Sequence, residues 1–99
     1  MNADIKAKWL EALRSGNYRQ GYNELRCRNR HCALGVLCDI IDPDGWKEPD
    51  YALHRGMFST KGHVPMEADL KPRDLREIST RNDAGKTFAE IADYIEANL

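Results

Sequence analysis

Apolar residues return along this chain at two different periods. Ile5, Trp9, Leu10 and Leu13 share one face of a helix that starts behind Asn2 and Asp4 and is closed by Gly16 in a left-handed cap. From Tyr22 to Arg28 the period drops to two, which predicts a half-buried strand with Leu25 and Cys27 inward and Glu24, Arg26 and Arg28 on its open face. The run from Cys32 to Ile41 is apolar nearly all round, so periodicity alone does not separate buried helix from buried strand. Its flanks favour helix: Asn29 suits an N-cap, and Asp42-Pro43-Asp44-Gly45 reads as a type I turn. Within that helix Gly35 would let another element approach closely.

Further on, Tyr51 and Leu53 begin an alternation that Met57 and Phe58 disturb, and Lys61-Gly62 can turn a hairpin before Val64 and Pro65, so a small antiparallel sheet is expected over 46–66. Pro72 suits the first turn of a short helix carrying Leu75 and Ile78, with Asn82-Asp83-Ala84-Gly85 as the following turn. Thr87 with Glu90 forms a capping box ahead of the stripe Phe88, Ile91, Ala92, Ile95 and Leu99. Together these elements predict an α+β fold, one domain over residues 1–99 with about four helices and a small antiparallel sheet.

Composition narrows the setting. A chain of 99 residues with 41% hydrophobic residues has material for one modest core. No stretch nears the roughly 18 consecutive apolar residues of a membrane span, and Asp4 among Lys6 and Lys8 does not resemble an export leader. Three cysteines, Cys27, Cys32 and Cys38, are an odd number crowded into one stretch, which fits reduced thiols in a cytoplasm better than a disulfide framework. The net charge of −1 disfavours a general nucleic-acid coat, yet residues 1–38 hold seven Lys/Arg against three Asp/Glu and the remainder eight against thirteen. That split marks either a basic binding face or two halves that attract each other in the fold.

Several clusters carry candidate chemistry. Cys32, at the start of a buried helix beside Arg30 and His31, would gain thiolate character, and a cysteine-dependent hydrolase or transferase would take its base from His54 or His63. The bland alternative is that Cys32 and Cys38 are small core residues. Cys27, His31, Cys32 and Cys38 supply zinc-type ligands within twelve positions, but they lack the two short ligand pairs of a structural zinc site, so no metal or other cofactor is expected. Arg26, Arg28 and Arg30, with Arg14 and Arg19 earlier, form a candidate cationic surface suited to phosphates, and Tyr18 and Tyr22 add faces on which a base can stack, as in a nucleotide or nucleic-acid pocket; arginine on the open face of a strand is also ordinary solvation. Asn82 and Asp83 are explained by turn chemistry alone. Nucleotide-loop, zinc-helix and serine-elbow motifs are missing from the sequence.

The segments Trp9-Leu10-Glu11-Ala12-Leu13-Arg14-Ser15-Gly16, Tyr18-Arg19-Gln20-Gly21, Leu25-Arg26 and Cys32-Ala33-Leu34-Gly35-Val36-Leu37-Cys38-Asp39 occur in an order that resembles a family of small uncharacterised proteins from phages and prophages. Asn82-Asp83, Gly85, Thr87-Phe88 and Glu90-Ile91-Ala92-Asp93 resemble its C-terminal signature; residues 43–70 do not take part. The resemblance implies no catalytic residue. It implies a non-enzymatic binder that blocks a host component, either a defence protein or an anionic nucleotide signal, in the host cytosol. The ligand contacts expected are Tyr18, Gln20, Arg26 and Arg28 beside the Cys32 helix, with nucleic acid a less favoured partner. A third reading is a homo-oligomer joined through Trp46, Tyr51 and Phe58.

Overall fold

The computed structural model describes residues 1–46, 64 and 66–99, and the hairpin expected over 46–66 falls mainly outside them. Helix α1 runs Ala3–Ser15; Asn2 caps it by accepting the Ile5 N–H at 2.9 Å, and Gly16 ends it at φ 78°. Its face of Trp9 and Leu13 is buried, as the spacing predicted. Three two-residue strands follow, β1 (Arg19–Gln20), β2 (Arg26–Cys27) and β3 (Arg30–His31), and then α2 (Ala33–Ile41). After a 3-10 turn at Pro43–Gly45 and another at Met66–Ala68 come α3 (Pro72–Asp83) and α4 (Phe88–Asn98). The fold is α+β with four helices among the described residues.

The sheet is mixed rather than antiparallel. Its order is β1-β3-β2, with β2 antiparallel to β3 and β1 parallel to it. β2 and β3 form a tight hairpin, and β1 pairs with the free edge of β3, running in the same direction as β3.

The long strand expected over Tyr22–Arg28 shrinks to Arg26–Cys27. Asn23 and Arg28 sit at φ 65° and 58°, and left-handed residues reverse the chain locally instead of continuing an extended alternation. Glu24 is buried and Cys27 is exposed, the opposite of the expected faces, while Leu25 is buried as expected. Asn29 is likewise not the cap of α2. It belongs to the β2–β3 turn, and Cys32 caps the helix through its sulfur, which accepts the Gly35 N–H at 3.4 Å.

Helix α2 occupies the centre. Ala33, Leu34, Val36 and Leu37 are wholly buried, with α1 and α3 packed against the helix and α4 against α1. The Trp9 indole donates to the Ala33 carbonyl at 2.9 Å, which satisfies the one polar atom of the largest buried side chain. Opposite charges also join the two halves: Arg14 on α1 meets Asp93 at 2.8 Å and Glu96 at 3.3 Å on α4. Part of the charge asymmetry is thus spent inside the fold, although exposed pairs of this kind stabilise little.

Helix α4 begins with the capping box anticipated from Thr87 and Glu90, each side chain bonding the other's backbone N–H at 3.2 and 3.0 Å. Those bonds from Thr87 hold the Glu90 carboxyl below its ordinary range. Thr87→Ala removes the cap from one helix only, and is expected to lower stability by about 1 kcal/mol in urea denaturation. A loss under a few tenths would mean that the packed stripe alone holds the helix end.

Candidate functional site

Two polar centres flank α2. The first is built on Asn82, which lies in the last turn of α3 and not in a free turn, and is wholly buried. Its Oδ1 accepts from Gln20 Nε2 at 3.0 Å and from the Ala33 N–H at 3.1 Å, while its Nδ2 donates to the Gly21 carbonyl at 2.9 Å and to Asp83 Oδ1 at 3.2 Å. Ala33 opens α2, so Asn82 supplies from another helix the acceptor that a first-turn N–H needs. Asp83 accepts the Asn23 N–H at 2.9 Å and holds the left-handed corner before β2. The turn role expected of Asn82 and Asp83 is therefore replaced by a tertiary one, since partners about fifty to sixty positions away leave no local sequence signal.

The second centre surrounds His31. Its ring meets the Tyr18 ring edge-on at 5.1 Å and the Trp46 ring at 5.7 Å. Asp39, on α2, accepts the Tyr18 hydroxyl at 2.6 Å through one carboxylate oxygen and the Trp46 indole N–H at 2.9 Å through the other. Arg26, paired with His31 across the β2–β3 ladder, places its guanidinium carbon 5.4 Å from the centre of the Trp46 ring and donates to the Arg28 carbonyl at 2.7 Å. Burial, followed by the hydrogen bond to Asp39, pushes the Tyr18 phenol up to about 12. His31 is 7% exposed, and burial lowers its pKa from the ordinary imidazole value, an effect that Asp39 opposes and Arg26 reinforces.

The residues expected to share a ligand pocket thus divide. Tyr18 and Arg26 meet around His31, Gln20 is committed to Asn82 and to the Lys86 carbonyl at 2.7 Å, and Arg28 projects from the hairpin turn. Arg14 leaves the cationic surface for α4. What stays on it is Arg19, Arg28 and Arg30, all exposed, and none of the three makes an ion pair among the described residues. Tyr22 stands beside β1 at 50% exposure.

The nucleophile reading fares worse. Cys32 is 1% exposed, and burial pushes its thiol up to about 12, so the thiolate needed for attack is scarce at neutral pH despite the helix start. Cys38 is driven to about 12 in the same way. His54 and His63 lie outside the described residues. Of the four zinc-type ligands Cys27 is exposed while the other three are buried, and among the described residues no group of three or more His, Cys, Asp or Glu side chains could hold a metal ion. No helix among those residues is long and apolar enough to cross a membrane.

The sequence model of one protein family matches residues 1–56, more than half of the chain. The chain belongs to DUF8296, a domain of unknown function. No curated protein matches the chain, and no solved structure does. The DUF8296 segment contains α1, the three strands described and α2, and with them Tyr18, Arg26, His31, Asp39 and Trp46 and all of Arg19, Arg28 and Arg30. Asn82, which ties the start of α2 to β1, is contributed from beyond it.

Proposed function

We propose that this protein is a non-enzymatic binding protein of phage type that docks on an acidic surface of a host protein and blocks it. The observation that carries the reading is the exposed set Arg19, Arg28 and Arg30 on and beside three adjacent short strands, without ion pairs among the described residues and with the exposed ring of Tyr22 beside β1. Guanidinium groups offer paired donors to carboxylates, and arginine and tyrosine are enriched where binding energy concentrates in protein interfaces. The Gln20 amide nitrogen already serves two acceptors, and the Arg26 side chain packs on Trp46, which moves the contact surface outward from the pocket expected at first. The resemblance to small phage proteins supplies the setting.

The test is a triple reversal, Arg19→Glu, Arg28→Glu and Arg30→Glu, compared with Arg73→Glu, Arg76→Glu and Lys86→Glu, which makes the same change of charge at exposed positions of α3 and the α3–α4 turn. Captured host protein is expected to be lost from the first variant, retained by the second, and released from the wild type as salt rises. Equal retention by both variants would remove the proposal.

A further inference from the structure

A buried imidazole with two unpartnered nitrogens is unusual, because each buried polar atom left without a hydrogen bond is destabilising. His31 is in that position: neither Nδ1 nor Nε2 has a partner among the described residues, and the ring is held by aromatic edges on two sides. The carboxylate that acts on this ring already serves two other donors. Asp39 gives one oxygen to Tyr18 and the other to Trp46, and so ties the end of α2 to the residue that follows the 3-10 turn.

We propose that His31 is a proton-operated wedge: when its ring takes up a proton, the imidazolium draws the Asp39 carboxylate away from the Trp46 indole and breaks the bond that ties Trp46 to α2. Neutral imidazole carries one N–H donor and no charge, so it gains no ionic attraction to a carboxylate that already serves two other donors. Imidazolium brings two N–H donors and a positive charge into a site with one carboxylate, and its bond adds the attraction of two opposite full charges, whereas the indole bond has only the carboxylate's charge behind it. The titratable and charged groups that face the ring among the described residues are Tyr18 at the entry to β1, Arg26 on β2 and Asp39 on α2; Trp46 is the remaining wall and does not titrate. Tyr18 stays neutral throughout the relevant range, since its phenol lies near 12. Arg26 repels the new charge.

The sign follows from the direction of the shift. Burial, assisted by Arg26, sets the imidazole of the closed form below 6.5, so the closed form is fully favoured above that pH and loses ground as pH falls through it. The device requires no bound ligand, and it stands whether or not the arginine surface binds a host protein.

Indole N–H resonances test it, with Trp9 as internal control because its indole is bonded to the Ala33 carbonyl in the core. In a titration from pH 7.5 to about 4.5, the Trp46 signal is expected to shift with the same midpoint as the His31 ring signal, below 6.5, while Trp9 stays in place. In His31→Gln the Trp46 shift should vanish. Should that variant fail to fold, Asp39→Asn separates the alternatives, because His31 still titrates there but no carboxylate is available to be drawn from Trp46. A Trp46 signal that ignores His31 protonation in the wild type overturns the proposal, as does one that moves with the same midpoint in either variant.

Discussion

Gly35→Ala is expected to lower the melting temperature of this protein by roughly 10 to 20 °C, a loss of about 2 to 3 kcal/mol. Two effects oppose each other. Alanine is the better helix former by about 1 kcal/mol, and at an ordinary interior position of α2 the change would stabilise. Here a Cβ on residue 35 falls inside the van der Waals envelope of the Leu25 carbonyl oxygen and 2.7 Å from the carbonyl carbon. The obstacle is backbone, so no rotamer change relieves it. Leu25 has little freedom to retreat, since its side chain is 1% exposed and its carbonyl accepts the Cys32 N–H at 3.2 Å. Either α2 tilts away and opens the core around Leu34 and Leu37, or the approach to β2 shifts and that bond is lost. Overpacking in a fixed core costs about 1 to 3 kcal/mol even where side chains can adjust, so the clash outweighs the propensity gain. A thermal melt within a few degrees of wild type would show that α2 slides past Leu25 freely.

The same contact shows which parts of the fold are legible from residues alone. A glycine inside an apolar helical run weakens the helix, so Gly35 points to a neighbour that needs the space of its missing side chain. Helices α1 and α4 are readable because their signals are local: a cap, a stripe of period 3.6 and a stop. The strand over Tyr22–Arg28 misleads for a physical reason. Its alternation of polar and apolar residues is real, but Asn23 and Arg28 take positive φ, and each such residue resets which face the next side chain occupies. Glu24 and Leu25 are both buried and Cys27 is exposed, so no single alternation runs through the segment. The parallel pairing of β1 with β3 joins positions eleven apart with another strand between them, and strands of two residues carry no period at all.

The candidate site is half legible. Tyr18 and Arg26 stand out in the sequence by aromatic and cationic character and do lie together, yet the residues that organise them are His31, Asp39 and Trp46. Of these, His31 has a signal in the sequence as a source of charge for Cys32 or a zinc-type ligand, and Trp46 as an aromatic suited to an interface, but neither signal points to Tyr18. Asp39 gives no sign, because a carboxylate at the end of an apolar helix reads as solvated. Only the Tyr18 hydroxyl and the Trp46 indole, brought to it by the fold, give it two donors to serve.

Asn82→Leu is expected to cost more than Gly35→Ala, about 3 to 6 kcal/mol, a large part of the roughly 5 to 15 kcal/mol that holds a domain of this size. Leucine keeps most of the volume, so the loss is one of hydrogen bonds and not of packing. Gln20 can turn its amide and keep its bond to the Lys86 carbonyl, and Asp83 is exposed and can bond water. Ala33 and Gly21 have no such recourse: both are buried, and the N–H of one and the carbonyl of the other lose the Asn82 amide. Each buried group so abandoned costs about 1 to 3 kcal/mol, and the bonds that held β1 against α3 go with them. Asn82→Asp separates the two halves of the effect. It retains an acceptor for the Ala33 N–H but sets a carboxylate against the Gly21 carbonyl and Asp83, so its loss of stability should shrink on acidification, as the introduced carboxyl protonates and donates where the amide did. Urea midpoints at neutral and acid pH, with hydrogen exchange at the Ala33 amide, read both predictions. If Asn82→Leu lies within about 1 kcal/mol of wild type, α2 does not depend on a cap from α3, and the C-terminal helices do not complete the DUF8296 segment through this asparagine.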